Sequence, residues 1–511
     1  MNHAPILPIL LPMAAAMLQL AGARNGIAYQ RLVGMIAVAA SLAISLWLIA
    51  LADRGASLVY ALGDWPAPFG IVLVADRLST MLVALTTLLA AASLLFACGG
   101  IDGEGRHFHP LFQLQIAGVN GAFLTGDLFN LFVFFEVMLL ASYVLLAHGG
   151  GLERARAGLS YVTLNLAGSA MFLIALGMIY GTVGTLNLAD VALRLQTAEK
   201  LDAALVRTGC ALLIVVFALK AALLPMSFWL PHAYTAASAP VAALFAIMTK
   251  VGIVAMLRVQ AVALAPAPVT ANLLDGWLVP LALATLAVGA LGTLAASGLQ
   301  ALVAWLVLAS AGTLLFVPAY ADAEVTAAAL YYLVQSTLAT AAFFLLASLV
   351  ASARGEAGDR FVTERPTRSA YLAIGFLILA ATAAGLPPLA GFLGKLMLLR
   401  AVQDEVAATA IWTVLIVSGF VIMAALARGG SRLFWETRAE ASPPVDPPAC
   451  WQRISATSIM VGCVVAFTLL AGPAARYAAR TAAQLHEPGA YVSGVMGPAS
   501  AAHAIEREPR P

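Results

Sequence analysis

The stretch ALKAALLPMSFWLPHAYTAASAPVAALFAIMTKVGIVAMLR (218–258) decides the fold. It is apolar for about twice the ~20 residues that carry a helix across a bilayer. It shows no apolar/polar alternation of the kind that builds a membrane barrel. It therefore reads as two successive membrane helices. Pro225 and Pro231 interrupt the first, because proline removes a helix hydrogen bond and leaves carbonyls free. Such a break survives at membrane depth only where protein or water satisfies the freed groups. Lys220 stands just before the break, and Lys250 stands twelve positions after Ser238, where the second helix begins.

The rest of the chain agrees with this reading. Of 511 residues, 62% are hydrophobic and only 10% are charged, with a mean hydropathy of +0.94. A soluble protein carries about 25% charged residues, so soluble enzymes, nucleic-acid binders and disordered chains are excluded. The net charge of +2 points to no charged partner. Apolar windows predict spans near 5–22, 30–52, 78–98, 110–128, 129–148, 159–182, 204–224, 238–262, 275–295, 299–318, 325–351, 369–386, 408–428 and 453–475. The predicted fold is an all-α polytopic membrane protein of about 14 transmembrane helices. Between the spans lie a GDWPAPFG turn (63–70), polar connections at 183–203 and 352–368, and the Pro-rich loop ASPPVDPP (441–448). The stretch LNLADVALRLQ (186–196) reads either as a helix lying in the interface or as an ordinary connector. The start, MNHAPILPILLPMAAAMLQLAG, lacks the basic residues of a cleaved signal and reads as a retained first helix. Loops on one side hold 13 Lys and Arg against 11 on the other. Arg354, Arg360, Arg365, Arg368, Arg428, Arg432 and Arg438 lie on the richer side, which puts both termini outside the cytoplasm.

Charges inside the apolar runs carry the functional signal. The chain has four lysines against 23 arginines, and three of the four, Lys220, Lys250 and Lys395, sit at membrane depth. A lysine at the bilayer centre costs at least ~2.5–3.5 kcal/mol on insertion scales. Arginine stays protonated in proteins, whereas a desolvated lysine can exchange its proton. Glu136 is the fourth such group, in GDLFNLFVFFEVMLLASY (126–143), nine positions after Asp127. Beside a lysine it would ionise, each group favouring the other's charged form. The competing readings are an ion pair that only joins helices, and for Lys250 a side chain snorkelling to the interface. Asp76 and Asp127, near span ends, read as interfacial.

A second interrupted span, AGLPPLAGFLGKLMLLR (384–400), places Pro387 and Pro388 ahead of Lys395. Interrupted segments in corresponding halves point to a transport site between inverted repeats. The breaks fall in spans 7 and 12, five apart, which suits inverted five-helix repeats over spans 4–8 and 9–13. The expected division is 1–109 for helices 1–3, 110–262 for the first repeat, 275–428 for the second, and 429–511 for a loop, helix 14 and the tail.

Together, LFNLFVFFEVMLLASY, the 218–258 stretch and AGLPPLAGFLGK resemble the proton-conducting antiporter-like family. That family comprises the large subunits of Mrp-type cation/proton antiporters and the pump subunits of respiratory complex I. Three motifs match in order, and the resemblance covers essentially the whole chain. The opening HAPILPILLPMAAA, the segment WPAPFGIVLVADRLS and the run SRLFW are most similar to the D-type subunits of the Mrp (Pha) branch. The resemblance implies a hydrated mid-membrane track in which Glu136 modulates Lys220, Lys220 and Lys250 pass protons, and Lys395 is the distal exchange site. It also implies that His232, in the PHAY element, gates or positions the loop after the break.

The sequence departs from the family where relatives carry charge. Span 10 begins Gln300-Ala301, and span 11 reads YYLVQSTLATAAFF, so Gln335, Ser336, Thr337 and Thr340 stand where a histidine is common. A proton crossing span 11 must then move through water held by those groups, unless Tyr331 or Tyr332 takes part. The expected function is proton translocation coupled to Na⁺ or K⁺ in a multisubunit complex of the bacterial cytoplasmic membrane, with other antiporter subunits and lipid as partners. The alternatives are a redox-driven pump subunit of complex I or a membrane hydrogenase, and a scaffold whose charges only hold helices together. No P-loop, dinucleotide fingerprint or haem-ligand pair is visible, and Cys98, Cys210, Cys450 and Cys463 are scattered singly, so no cofactor or metal is expected.

Overall fold

Backbone amides in hydrocarbon have only each other to bond, and the apolar windows accordingly fold as helices. The computed structural model describes residues 3–55, 57–196, 202–362, 369–435 and 450–497. Helices α1 (Leu7–Ala21) and α2 (Gly26–Ala52) are followed by strands β1 (Leu58–Ala61) and β2 (Val72–Ala75), then by α3 (Arg77–Ala97). Next come α4 (Phe108–Leu124), α5 (Leu128–Ala147), α6 (Leu152–Val183), the short α7 (Leu188–Gln196) and α8 (Ala203–Lys220). The interrupted region continues as α9 (Trp229–Ala236), α10 (Ala239–Phe245) and α11 (Met248–Val259). The second half holds α12 (Leu278–Ala295), α13 (Leu299–Leu315), α14 (Ala323–Arg354), α15 (Ala370–Ala384), α16 (Ala390–Ala401) and α17 (Ala408–Gly430). The chain closes with α18 (Trp451–Leu469), α19 (Ala471–Leu485) and α20 (Pro488–Met496).

Among the described residues, 12 helical segments are long and apolar enough to cross a membrane. The windows at 110–128 and 369–386 also fold as helices, but shorter ones, α4 with 17 residues and α15 with 15. The structure trims one expectation, adds a hairpin to another and decides a third. The window at 453–475 runs too far: α18 is long and apolar enough to span but stops at Leu469, and a new helix starts at Ala471, with Pro473 in its first turn, where a missing N–H costs nothing. The all-helical reading misses one hairpin, in which Leu58 pairs with Ala75 and Ala61 with Val72. Its strands are Val- and Leu-rich runs flanking GDWPAPFG, whose two prolines stop a helix. Of the two readings of 186–196 the connector is favoured, because Leu188, Val191, Ala192 and Leu195 are buried against the protein and the apolar face is not offered to lipid. The Pro-rich loop at 441–448, with Arg365, Arg368 and Arg438, lies outside the described residues.

Lipid tails give apolar helices no reason to prefer each other, so close approach depends on small residues. Gly118 of α4 has no room for a side chain, since a Cβ would lie 2.6 Å from the Met138 amide on α5. Gly312 of α13 meets the Leu286 amide of α12 in the same sense, and closer still. Polar ties then fix the ends. Asp76 caps α3 by accepting from the Ser79 amide at 2.8 Å, and Arg258 of α11 grips both its oxygens at 2.7 and 2.9 Å. This aspartate, at the start of its helix, is part of a buried pair, with Arg258 6% exposed. Helix α19 is strapped across the same end by Arg480 on Asp53 at 2.9 Å and Tyr477 donating to the Arg77 carbonyl at 3.2 Å.

Removing one member of a buried pair leaves the other charge without compensation, at a cost of about 3 kcal/mol or more. Asp76→Asn is expected to lower the thermal midpoint of the detergent-purified protein clearly, while Arg480→Gln on the exposed strap shifts it little. Differential scanning fluorimetry of the two variants checks this.

Candidate functional site

Each charged residue inside the bundle is held by a partner from another element. Glu136 projects from α5 and accepts a short hydrogen bond from the Ser169 hydroxyl of α6. Lys220, the last residue of α8 and 4% exposed, donates to the Ser169 hydroxyl at 3.3 Å and to the Asn165 carbonyl at 3.2 Å. The Phe135 ring lies 6.0 Å from the same ammonium. The expected pairing of Glu136 with Lys220 is therefore relayed: no direct ion pair joins them among the described residues, and Ser169 stands between, donating to one and accepting from the other.

Lys250 of α11 is fully buried and donates to the Ser310 hydroxyl of α13 at 2.7 Å. Its helix passes close to the first break because of Gly252, where a Cβ would lie 2.9 Å from the Phe217 carbonyl and 3.0 Å from the Ala221 amide. Ser310 also opens on a narrow cavity of about 30 Å³ that runs past α14 to Lys395. That volume holds roughly two water molecules. Gln335, Ser336, Thr340 and Tyr332 of α14 line it, with Thr313, Thr382 and Ser418. Thr337 is absent from the lining and turns its hydroxyl back to the Leu333 carbonyl at 2.7 Å. Gln335 Oε1 is buried with no protein partner among the described residues.

The two breaks hold their freed backbone groups in parallel ways. After Lys220 the helix stops, and the Leu224 amide donates to the Thr285 hydroxyl of α12 at 3.0 Å. After Pro387 and Pro388, the Ala390 amide donates to the Thr468 hydroxyl of α18 at 3.1 Å. At the second break the orphan carbonyls of α15 are also used. Lys395 donates to Ala383 and Ala384 at 3.2 and 2.9 Å, the acceptors that a helix end leaves free. Pro225 and Pro387 sit in the breaks, between helical segments. His232 is exposed, and among the described residues its ring bonds the Phe228 carbonyl of its own segment at 2.9 Å, with no contact to the charged row. Gln300 donates to the Ala237 carbonyl at 2.6 Å and ties the start of α13 to the turn before α10. Ser169, Asn165, Ser310, Thr285 and Thr468 carry no mark in the sequence. Hydroxyls are common in membrane helices, where they bond their own preceding turn and give no distinguishing signal.

Two buried amines, a half-buried third and one half-buried carboxylate, each bonded to a hydroxyl or a freed carbonyl inside a multi-pass helical bundle with two interrupted helices, define an antiporter-like membrane protein. The chain belongs to the family described as NADH:quinone oxidoreductase/Mrp antiporter, TM, whose model matches residues 125–423. It is 41% identical to a Rhizobium meliloti protein named as the D-type subunit of a probable K(+)/H(+) antiporter, over 96% of each chain. It is 32% identical to the D-type subunit of the Na(+)/H(+) antiporter of Alkalihalophilus pseudofirmus, over 97% of this chain and all of that one. Among solved structures, a chain of the Mrp complex from a Dietzia species superposes with a TM-score of 0.85 at 25% identity, covering 97% of this chain and 100% of that one. The resemblance drawn from the three motifs is borne out.

The Thr285 contact bears on how the first break is held. Thr285→Val leaves the Leu224 amide without an acceptor, a loss of about 1–3 kcal/mol. Amide hydrogen exchange in residues 221–228 is expected to speed up about tenfold in Thr285→Val and to stay unchanged in Thr285→Ser, with other helices unaffected.

Proposed function

We propose that this chain is the D-type subunit of a multisubunit secondary antiporter, moving protons along Glu136, Lys220, Lys250 and Lys395 in exchange for Na⁺ or K⁺. The observation that carries this reading is the continuity of the polar row from Ser310, the partner of Lys250, through the α14 cavity to Lys395. A proton leaves an ammonium only if an acceptor lies at hydrogen-bond range, directly or through water. Ser169 gives Lys220 such a contact on the Glu136 side, Ser310 does so for Lys250, and the α14 hydroxyls with the Gln335 oxygen hold water on the approach to Lys395. Glu136 acts on Lys220 through Ser169: its negative charge favours the protonated amine, and a change in that charge changes how readily the amine releases its proton.

The same reading puts the chain in the bacterial cytoplasmic membrane, with both termini outside the cytoplasm. It divides the chain at 1–109, 110–262, 275–428 and 429–511, the middle two units being inverted repeats. Matching threonine caps on the two breaks support that division. The partners are the other antiporter subunits. Relatives named for K⁺ and for Na⁺ both align end to end, so the cation stays open between the two.

Antiport measured as a cation-driven pH change in inverted vesicles tests the proposal. Lys220→Ala, Lys250→Ala and Glu136→Ala are each expected to cut the rate at least tenfold with the complex still assembled. Lys220→Arg should fail as well, because a guanidinium keeps its proton. Undiminished antiport in assembled Lys220→Ala overturns the relay. Co-purification with iron–sulfur and quinone-site subunits, in place of small antiporter subunits, moves the chain to a redox-driven complex.

A further inference from the structure

An ammonium has three N–H donors. Lys395 spends two of them on the carbonyls that α15 leaves free, Ala383 at 3.2 Å and Ala384 at 2.9 Å. The third has no protein acceptor among the described residues. Two glycines flank this amine, and they differ in kind. Gly385 closes α15 with a φ of 83°, and a Cβ there would lie 2.9 Å from Lys395 Cδ and 3.1 Å from Nζ. Backbone conformation and the seated side chain both hold that position to glycine. Gly419 sits in the middle of α17 under neither constraint. A Cβ there would meet only Lys395 Nζ at 3.8 Å and the Ala384 carbonyl at 3.9 Å, both ordinary contacts.

Other glycines in the helices of the second half have a steric reason. At Gly289, Gly312 and Gly391 a Cβ would run into the backbone of a neighbouring helix, at the Ala309 amide, the Leu286 amide and the Thr382 carbonyl. Alanine is the better helix former, so a mid-helix glycine that packing does not require has some other use. The cavity beside Lys395 supplies one. Lys395, Ser418 and Gly419 stand in its wall with Thr382 of α15 and Gln335 and Ser336 of α14. Its volume of about 30 Å³ is on the scale of single water molecules. The face that Gly419 leaves bare and the amine therefore border the same water-sized space.

We propose that Gly419 is a positioning residue for Lys395: by carrying no side chain it keeps open the place of a water that accepts the third N–H and joins the amine to the hydroxyls of the cavity wall. This deepens the relay reading and rests on it. In the relay step the Nζ–H bond breaks as an O–H bond forms on that water, leaving a neutral amine and a hydronium. The hydronium then gives a proton to the next water along the wall, and the return step reverses both transfers. A side chain at 419 leaves the two carbonyl bonds of Lys395 in place and displaces only the water. The competing reading is that Gly419 is small so that a helix of another subunit can approach closely, and in that case bulk at 419 disturbs assembly.

Antiport in inverted vesicles, with the co-purifying subunits quantified alongside, separates the two. Gly419→Ala fits without a clash and is expected to lower the maximal rate about tenfold, as when a charged group forfeits one hydrogen bond. The apparent KM for the cation should not move, and Gly419→Val should lower the rate further. Gly419→Ser has nearly the bulk of alanine but brings a hydroxyl to the amine, and is expected to keep about half the wild-type rate or more, a direct bond replacing a water-mediated one. A second measurement does not depend on transport. Thiols react as thiolates, which need water, so in the whole complex Gly419→Cys should be labelled by a small water-soluble methanethiosulfonate, with the site read by mass spectrometry. Phe420→Cys, on the exposed face of α17, should not be labelled. Full antiport in assembled Gly419→Ala, equal rates for alanine and serine, loss of subunits from the alanine variant, or an unlabelled cysteine at 419 overturns the proposal. Undiminished antiport in Lys220→Ala would instead overturn the relay, and labelling at 419 then decides by itself whether water stands beside Lys395.

Discussion

An amine keeps its place inside a hydrocarbon slab only if the protein supplies its hydrogen-bond partners, and the architecture here follows from that need. An unpartnered ammonium or backbone group at membrane depth costs several kcal/mol. Lys250 has the Ser310 hydroxyl, Lys220 has Ser169 with the Asn165 carbonyl, and Lys395 has the Ala383 and Ala384 carbonyls. The last case shows why an interrupted helix and a buried lysine occur together. A helix that stops inside the membrane exposes carbonyls that need donors, and a lysine there needs acceptors. Each resolves the other's deficit.

The donors freed at the breaks are met by a second device. Thr285 and Thr468 each accept one amide from an interrupted segment while donating to their own helix, to Leu281 at 2.7 Å and Val464 at 3.1 Å. These threonines come from α12 and α18, so each break is fastened to the helix group that follows it. Between Ser310 and Lys395 stands α14, a 32-residue helix that presents Gln335, Ser336 and Thr340 to the cavity where a charged residue would be costlier to hold. Neutral hydroxyls and an amide retain water without a net charge of their own, which suits the proposed relay, where this segment passes a proton and does not store one.

The lysines, Glu136 and both interruptions are legible in the sequence because charge and paired prolines are rare in membrane helices and stand out against an apolar background. The hydroxyls that hold them are not. Ser310 bonds the Val307 carbonyl at 2.8 Å in its own helix, as many membrane serines do, and only its second contact, with Lys250, sets it apart. His232 follows the break in sequence, and only the fold shows it exposed on α9 and bonded to its own segment. Asp76 reads only as a residue at a span end, and its partner 182 positions away, Arg258, is visible only in the fold.

Composition and periodicity were sufficient to determine that this chain is a helical membrane protein with intramembrane amines beside two interrupted spans. Solvation alone demands that result, and solvation is a property of each window taken by itself. Which group answers each amine, and whether Glu136 reaches Lys220 directly or through Ser169, were decided by tertiary structure. Those contacts join residues tens or hundreds of positions apart. Their geometry depends on how closely helices approach, as at Gly118, Gly252 and Gly312, and no local pattern of residues encodes that distance.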